Sequence, residues 1–239
     1  MRDNIYSVPR AHIGDFTFDD NVAKVFPDMI KRSVPGYSNI VQAIGMLSEK
    51  HAKENTNLYD LGCSLGACAL EMAQNSPKNT KVIGIDTSKD MINRAQSIIK
   101  ESECEDKVNL IIDDITSYPL ENASIIVLNF VLQFIPIDKR DKLISDIYKA
   151  LNPGGILVLS EKFKFDNKII QESLTNLHHE FKRANGYSDL EISQKRDAIE
   201  NVLIPETIET HYERLEKAGF NNKNLWFQCF NFGSIIAIK

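Results

Sequence analysis

This 239-residue sequence lacks several features, and each absence excludes something. No apolar run approaches the roughly 18 residues that a membrane-spanning helix needs, so no span is expected. The stretch from Met1 to Asp15 carries Arg2, Asp3, Arg10 and Asp15 with no apolar segment, which argues against a secretory leader there. The four cysteines, Cys63, Cys68, Cys104 and Cys229, form no C-x-x-C pair and no disulfide-dense spacing. A reduced, cytoplasmic protein is the natural expectation. Positive charge is not in surplus, since 28 Lys and Arg face 33 Asp and Glu for a net charge of −5. Gripping nucleic acid needs cations gathered on one face, so direct nucleic-acid binding is not expected. Glycine is scarce, 11 residues in all, below the ~7% of an average chain. Where glycines gather is therefore informative.

What is present is ordinary for a globular chain: 43% hydrophobic and 26% charged residues. The length suits one sizeable core, so residues 1–239 are expected to form a single domain. The first 55 residues look like a helical cap. Val22, Phe26, Met29 and Ile30 repeat with helical period after the capping candidates Asp19 and Asp20. Pro35 then interrupts, and a second helix is expected from Ser38, burying Ile40, Ile44 and Leu47. From residue 57 apolar runs alternate with helical segments. Strands are expected at Asn57–Leu61, Lys81–Asp86, Val108–Ile112, Ala123–Phe130 and Ile156–Ser160. Helices are expected at Leu65–Asn75, Ser88–Lys100 and Asp138–Ala150. Such alternation implies a parallel sheet covered on both faces.

The rhythm changes at the end. Pro205–Ala218 reads as a helix, and Leu225–Cys229 and Ser234–Ile238 are two strands around Asn231-Phe232-Gly233. Only a hairpin spans so short a gap, so the last strand must run antiparallel. The expected fold is thus α/β and Rossmann-like: a mostly parallel seven-stranded sheet with a C-terminal antiparallel hairpin, N-terminal helices and a helical insert. This is the arrangement of a class I, S-adenosylmethionine-dependent methyltransferase. The insert, 162–204, has an apolar stripe of Ile170, Leu174, Leu177 and Phe181. It lies where α/β proteins place ligand contacts, and a dimer or lid helix is the plainer alternative.

The chemistry-bearing residues cluster at the strand ends. Asp60-Leu61-Gly62-Cys63-Ser64-Leu65-Gly66 closes the first strand and opens the next helix. Glycines there permit a tight turn and close approach to a ligand, although Ser64 stands where G-x-G-x-x-G would have a second glycine. Asp86 ends the second strand, where a carboxylate accepts from ribose hydroxyls; a helix cap is its alternative role. Asp114 can accept the adenine amino group while Ile115 packs on the ring, or the Asp113-Asp114 pair can be simple turn residues. Asn129 ends the fourth strand, beside the expected sulfonium end of the ligand. The sequence Asn129-Phe130-Val131-Leu132 departs from the Asn/Asp-Pro-Pro-aromatic motif of amino-methyltransferases, which argues against base N-methylation. His178-His179-Glu180 lacks H-E-x-x-H spacing, and Cys63 and Cys68 lack a nearby histidine, so no metal site is expected and a solvated helix face is favoured for the His pair. No nucleophile–base set stands out, and no catalytic side chain is assigned. Phe181-Lys182-Arg183 and Gln194-Lys195-Arg196 are the basic groups of the insert; a surface position is the plainer reading for any one arginine.

Longer motifs extend the comparison. Val34-Pro35-Gly36-Tyr37, Tyr59 to Gly66, Leu159-Ser160-Glu161-Lys162-Phe163, Phe181 to Ser188, Ser193-Gln194-Lys195-Arg196 and Trp226 to Ser234 together resemble the bacterial carboxy-S-adenosyl-L-methionine synthase family. A generic methyltransferase would share only the glycine loop and Asp86. The resemblance implies conversion of S-adenosylmethionine and prephenate to carboxy-S-adenosylmethionine and phenylpyruvate. That product would serve a separate tRNA carboxymethyltransferase acting on a wobble uridine. The resemblance also implies a ligand site of Tyr37, Gly62, Cys63, Ser64, Asp86, Thr87, Asp114, Ile115, Asn129 and Arg196. Arg196 would come from the neighbouring subunit of a homodimer and pair with the added carboxylate, with Asp197 as an acidic neighbour competing for it. Two other readings stay open on the residues alone: a conventional methyltransferase of a small carboxylate-bearing acceptor, and a non-catalytic adaptor that binds the same ligand.

Overall fold

A computed structural model describes residues 1–239. Helices α1 (Asp20–Ser33) and α2 (Tyr37–His51) precede the sheet. The remainder runs β1 (Asn57–Leu61), α3 (Ala67–Asn75), β2 (Lys81–Asp86), α4 (Lys89–Glu101), β3 (Val108–Ile112), β4 (Ala123–Asn129), α5 (Ile137–Ala150) and β5 (Leu151–Lys162). The insert contributes α6 (Lys168–Ala184) and α7 (Asp189–Ile199), and α8 (Ile208–Ala218), β6 (Asn222–Cys229) and β7 (Phe232–Ile238) complete the chain. The seven strands form one sheet in the order β3-β2-β1-β4-β5-β7-β6. Neighbours from β3 to β5 pair in parallel, and β7 runs antiparallel to both β5 and β6.

The physical cause is the pattern of β1, β4 and β5. Leu58, Ile125, Ile126, Val127, Leu128, Leu157 and Val158 are all fully buried. Alternate side chains of one strand therefore enter different cores. Ile126, Leu128 and Leu157 pack with α5 residues on one face, and Leu58, Ile125, Val127 and Val158 pack with α2 and α3 residues on the other. A strand buried on both sides has no polar face to alternate, hence the continuous apolar runs. No helix is long and apolar enough to cross a membrane.

Several boundaries differ from the sequence reading. Helix α3 starts at Ala67, not Leu65, because Gly62, Ser64 and Gly66 all adopt positive φ (76°, 51° and 79°) and no helix can pass through them. Helix α2 starts at Tyr37 rather than Ser38, directly after left-handed Gly36. Strand β4 ends at Asn129, since Phe130 turns to φ 64°. Strand β5 begins at Leu151, which pairs with Ala123 before the chain turns through Pro153-Gly154-Gly155. Helix α8 starts only at Ile208, capped by the Thr207 hydroxyl, and leaves Pro205 outside it. Leu47 is half-buried rather than core.

The N-terminal segment and the insert hold each other over the carboxyl ends of the strands. The Gln194 amide donates to the carbonyls of Tyr6 and Val8 at 2.8 and 3.0 Å, and its oxygen accepts from the Arg10 N–H at 2.8 Å. Phe16 N–H donates to Ala198 O, and the Ser88 hydroxyl donates to Phe18 O at 2.6 Å. The Tyr187 hydroxyl donates to Asp3, and Arg32 stacks on the Tyr187 ring, 3.8 Å from its centroid. A roof thus forms above the sheet.

Candidate functional site

Under that roof lies a cavity of about 360 Å³, within the size range of small-molecule sites. Its floor is the strand ends and its roof is aromatic: Phe18 meets Phe16 and Phe134 edge-on at 5.1 and 5.5 Å.

The loop after β1 is built backbone first. Gly62 at φ 76° approaches the loop after β4 so closely that a Cβ there would lie 2.5 Å from a Val131 methyl carbon. Ser64 takes the left-handed conformation usually left to glycine, and its N–H donates to Asp86 Oδ2 at 2.8 Å. The other Asp86 oxygen accepts from Ser88 N–H at 2.9 Å. One carboxylate therefore couples the glycine loop to the start of α4 and keeps lone pairs for a diol. Burial pushes its pKa above the ordinary carboxylate value, opposed by the backbone donors. Asp60 is more enclosed. Burial raises its carboxyl to about 7, against a hydrogen bond from Ala69 N–H at 2.9 Å.

At the far end Asp114 accepts from Thr116 N–H at 2.8 Å, and that bond holds its carboxyl below the usual range. The turn role and a cavity-facing position coexist in this residue, which also lines the cavity. Asn129 donates to the Cys68 sulfur at 3.4 Å, while its Oδ1 is buried with no partner in the protein. A buried acceptor left without a donor is costly, and a ligand donor would satisfy it. Tyr37 faces the same space from the first turn of α2, and burial pushes its phenol far above its ordinary value.

Of the ten residues named from sequence, the cavity brings together Tyr37, Gly62, Ser64, Asp86, Thr87, Asp114, Ile115 and Asn129. Cys63 does not reach it; its buried sulfur lies against Gly84 under the loop, and burial pushes the thiol up. Arg196 does not reach the cavity of its own chain either. Its side chain is 58% exposed and lies 3.5 Å from Asp197.

The structure adds residues that were not picked out as site members. His178 is buried, not solvated: its ring packs on Phe232 at 4.8 Å and Nε2 lies 2.8 Å from Ser33 O. A carbonyl only accepts, so Nε2 carries the hydrogen, and burial with nearby Lys182 pushes the imidazole down to about 2, keeping it neutral. Lys162 from β5, Lys182 from α6 and Lys195 from α7 also line the cavity. Of the apolar stripe of α6, Ile170 and Leu177 are exposed, while Leu174 and Phe181 are half-buried. No three His, Cys, Asp or Glu side chains converge as a metal cluster.

A buried charge network holds the wall formed by the β4–α5 loop. Glu161 accepts from the N–H groups of Leu132 and Gln133, both at 2.9 Å. Burial raises its carboxyl to about 8 despite Arg140 and these donors. Arg140, fully buried, bonds Glu206 at 2.6 Å and the carbonyls of Gln133, Ile135 and Ile204. Phe130, Val131, Gln133, Phe134 and Ile135 of that loop all line the cavity.

Comparison with known proteins decides the family. A family model described as "Methyltransferase domain" matches residues 58–155. The carboxy-S-adenosyl-L-methionine synthase of Haemophilus ducreyi is 55% identical over 239 residues, covering 100% of this chain and 98% of that protein. The chain belongs to the carboxy-S-adenosyl-L-methionine synthase family. The synthase of Actinobacillus pleuropneumoniae serotype 5b is also 55% identical, covering 100% of this chain and 99% of that one. Among solved structures, human N-acetylserotonin methyltransferase in complex with SAM superposes with a TM-score of 0.63 at 20% identity. It covers 92% of this chain and 55% of its own, and supports the fold alone. The residues of this synthase-family chain fit S-adenosylmethionine as substrate: an unpartnered Asn129 oxygen, a strand-end Asp86 and a glycine loop that admits close approach.

Proposed function

We propose that this protein makes carboxy-S-adenosylmethionine and phenylpyruvate from S-adenosylmethionine and prephenate. The observation that carries the reading is the full-length likeness to carboxy-S-adenosyl-L-methionine synthases, insert included. The cavity, with an adenosyl-type floor and a cationic end, agrees with it.

The reaction balances without a protein base. Prephenate dianion fragments to phenylpyruvate anion, carbon dioxide and hydroxide. Hydroxide takes one proton from the sulfonium methyl group and leaves as water. The resulting carbanion, stabilised by the adjacent sulfonium, forms a carbon–carbon bond to carbon dioxide. The protein positions the two substrates, excludes water beneath the roof and balances charge. Asp60, with its carboxyl near 7, is favoured as an anion once the cationic sulfonium lies in the same cavity.

Tyr37, Gly62 to Ser64, Asp86, Thr87, Asp114, Ile115 and Asn129 hold the adenosyl substrate in this reading, with Cys63 contributing backbone only. Arg196, exposed on its own chain, reaches the neighbouring subunit's site in a homodimer and pairs with the new carboxylate. The exposed Ile170 and Leu177 of α6 support such a second copy. The product leaves a cytoplasmic enzyme to feed a separate tRNA carboxymethyltransferase. The test is phenylpyruvate release by pure protein: it should require both substrates and produce no S-adenosylhomocysteine. Release of S-adenosylhomocysteine would mark a methyltransferase, and no turnover at all would favour the adaptor reading.

A further inference from the structure

The part of the cavity remote from the glycine loop is unusual in charge. Lys162, Lys182 and Lys195 arrive there from β5, α6 and α7. Lys195 is partnered, donating to the Ser33 hydroxyl at 3.1 Å with Asp3 at 3.9 Å. Lys162 and Lys182 have neither an ion pair nor a hydrogen bond in the protein; the Phe232 ring lies 6.0 Å from the Lys162 ammonium. Both are largely enclosed, and burial pushes both ammonium groups below their ordinary value, Lys182 to about 7. The neighbours of Lys182 worsen its position: Lys195, Lys162 and Arg196 all repel it, and His178 and His179 stay neutral beside it.

Two like charges in an enclosed, partly aromatic space destabilise the fold, and hydrophobic replacements of similar volume would relieve it. The helix that carries Lys182 makes the same point. Helix α6 turns Ile170 and Leu177 to the outside and aims His178 and Lys182 inward, the reverse of an ordinary surface helix. An anion between the two lysines would remove both costs.

We propose that Lys162 and Lys182 form a carboxylate clamp for the second substrate, with Lys195 and Ser33 as its backing. The clamp rests on the proposed function, in which that substrate is prephenate. Of prephenate's two carboxylates, the clamp holds the one retained in phenylpyruvate. Gripping the departing carboxylate would stabilise the ground state against loss of carbon dioxide, whereas gripping the retained one binds ground and transition states alike. The clamp residues are therefore positioning residues, and their removal should raise KM while sparing kcat.

The experiment compares the wild-type protein with Lys162→Met, Lys182→Met and the double variant. Initial rates at varied prephenate, inhibition by phenylpyruvate and S-adenosylmethionine affinity by calorimetry are measured together. Each single variant should raise KM for prephenate at least about tenfold and weaken phenylpyruvate inhibition by a similar factor. Its kcat should stay within about threefold and its S-adenosylmethionine affinity should be unchanged, which also reports an intact fold. Unchanged KM in active variants overturns the clamp. So does a matching loss of S-adenosylmethionine affinity, since the lysines would then hold the adenosyl substrate or the fold. A loss of kcat with phenylpyruvate inhibition intact overturns the choice of carboxylate. A wild-type protein that does not consume prephenate refutes the functional reading itself, a result distinct from all of these.

Discussion

Replacing Arg140 with Met should be among the most damaging single changes outside the substrate cavity. The side chain is fully buried and makes four contacts: Glu206 at 2.6 Å, Ile135 O at 2.9 Å, Ile204 O at 3.0 Å and Gln133 O at 3.1 Å. Methionine keeps the volume but donates to none of them. Glu206 retains Arg214 at 2.7 Å, so it is weakened rather than stranded. Three carbonyls lose a donor, but Gln133 O keeps the Ile204 N–H at 2.9 Å, so Ile135 O and Ile204 O are left unpaired, at about 1–3 kcal/mol each. Relief of the buried guanidinium's own desolvation offsets part of this. A net loss of about 3–5 kcal/mol follows, the range seen when one partner of a buried pair is removed. At about 2–4 °C per kcal/mol for a domain of this size, Tm should fall by about 6–20 °C. Calorimetric melting of the two proteins at pH 7 measures it. A fall under about 3 °C, with the cavity still binding S-adenosylmethionine as tightly, would refute the reasoning. It would mean that the β4–α5 loop is held by the sheet and not by this network.

Three further outcomes follow from other residues. Arg196→Ala should weaken carboxy-S-adenosylmethionine binding and largely spare S-adenosylmethionine; equal calorimetric losses for both ligands would sink the partner-carboxylate role. Gly62→Ala puts a Cβ into Val131 at a φ of 76°, so it should cost about 1–2 kcal/mol of stability and lower adenosyl-substrate affinity, both read by melting and titration. The pH dependence concerns Lys182, whose folded value near 7 lies below its ordinary lysine value. Between those values the unfolded chain binds a proton that the folded chain does not, so this residue's contribution to stability rises with pH across that window. Lys182→Met should thus be most stabilising relative to the ligand-free wild type near pH 6, with the advantage shrinking toward pH 9; a pH-independent Tm difference would contradict a strained ammonium.

Much of the architecture was legible because β1, β4 and β5 are buried on two faces and so read as apolar runs. The hairpin was legible because only a few residues separate the last two strands. The misplaced starts of α2 and α3 share one cause: left-handed residues at Gly36, Ser64 and Gly66 decide where a helix may begin, and apolar period does not report φ. Ser64 looked like a departure from a glycine motif, yet it adopts the glycine-like conformation and spends its N–H on Asp86. Helix α6 was legible as an amphipathic helix, but its inward residues were not: the face it turns in covers a polar cavity, so His178, expected on a solvated face, and Lys182 point in. Spacing cannot distinguish a cation over a ligand from a cation in water. Nor can a single chain place Arg196, whose proposed site lies across a subunit boundary.

The central claim is that the methyl carbon of S-adenosylmethionine stays on sulfur and gains a carboxylate. Mass spectrometry of the adenosyl product decides it most directly, after incubation of pure protein with methyl-labelled S-adenosylmethionine and prephenate. The predicted product retains the labelled carbon and is heavier than its precursor by one carbon dioxide, with phenylpyruvate in equal amount. S-adenosylhomocysteine, with the label transferred to another molecule, would contradict the account.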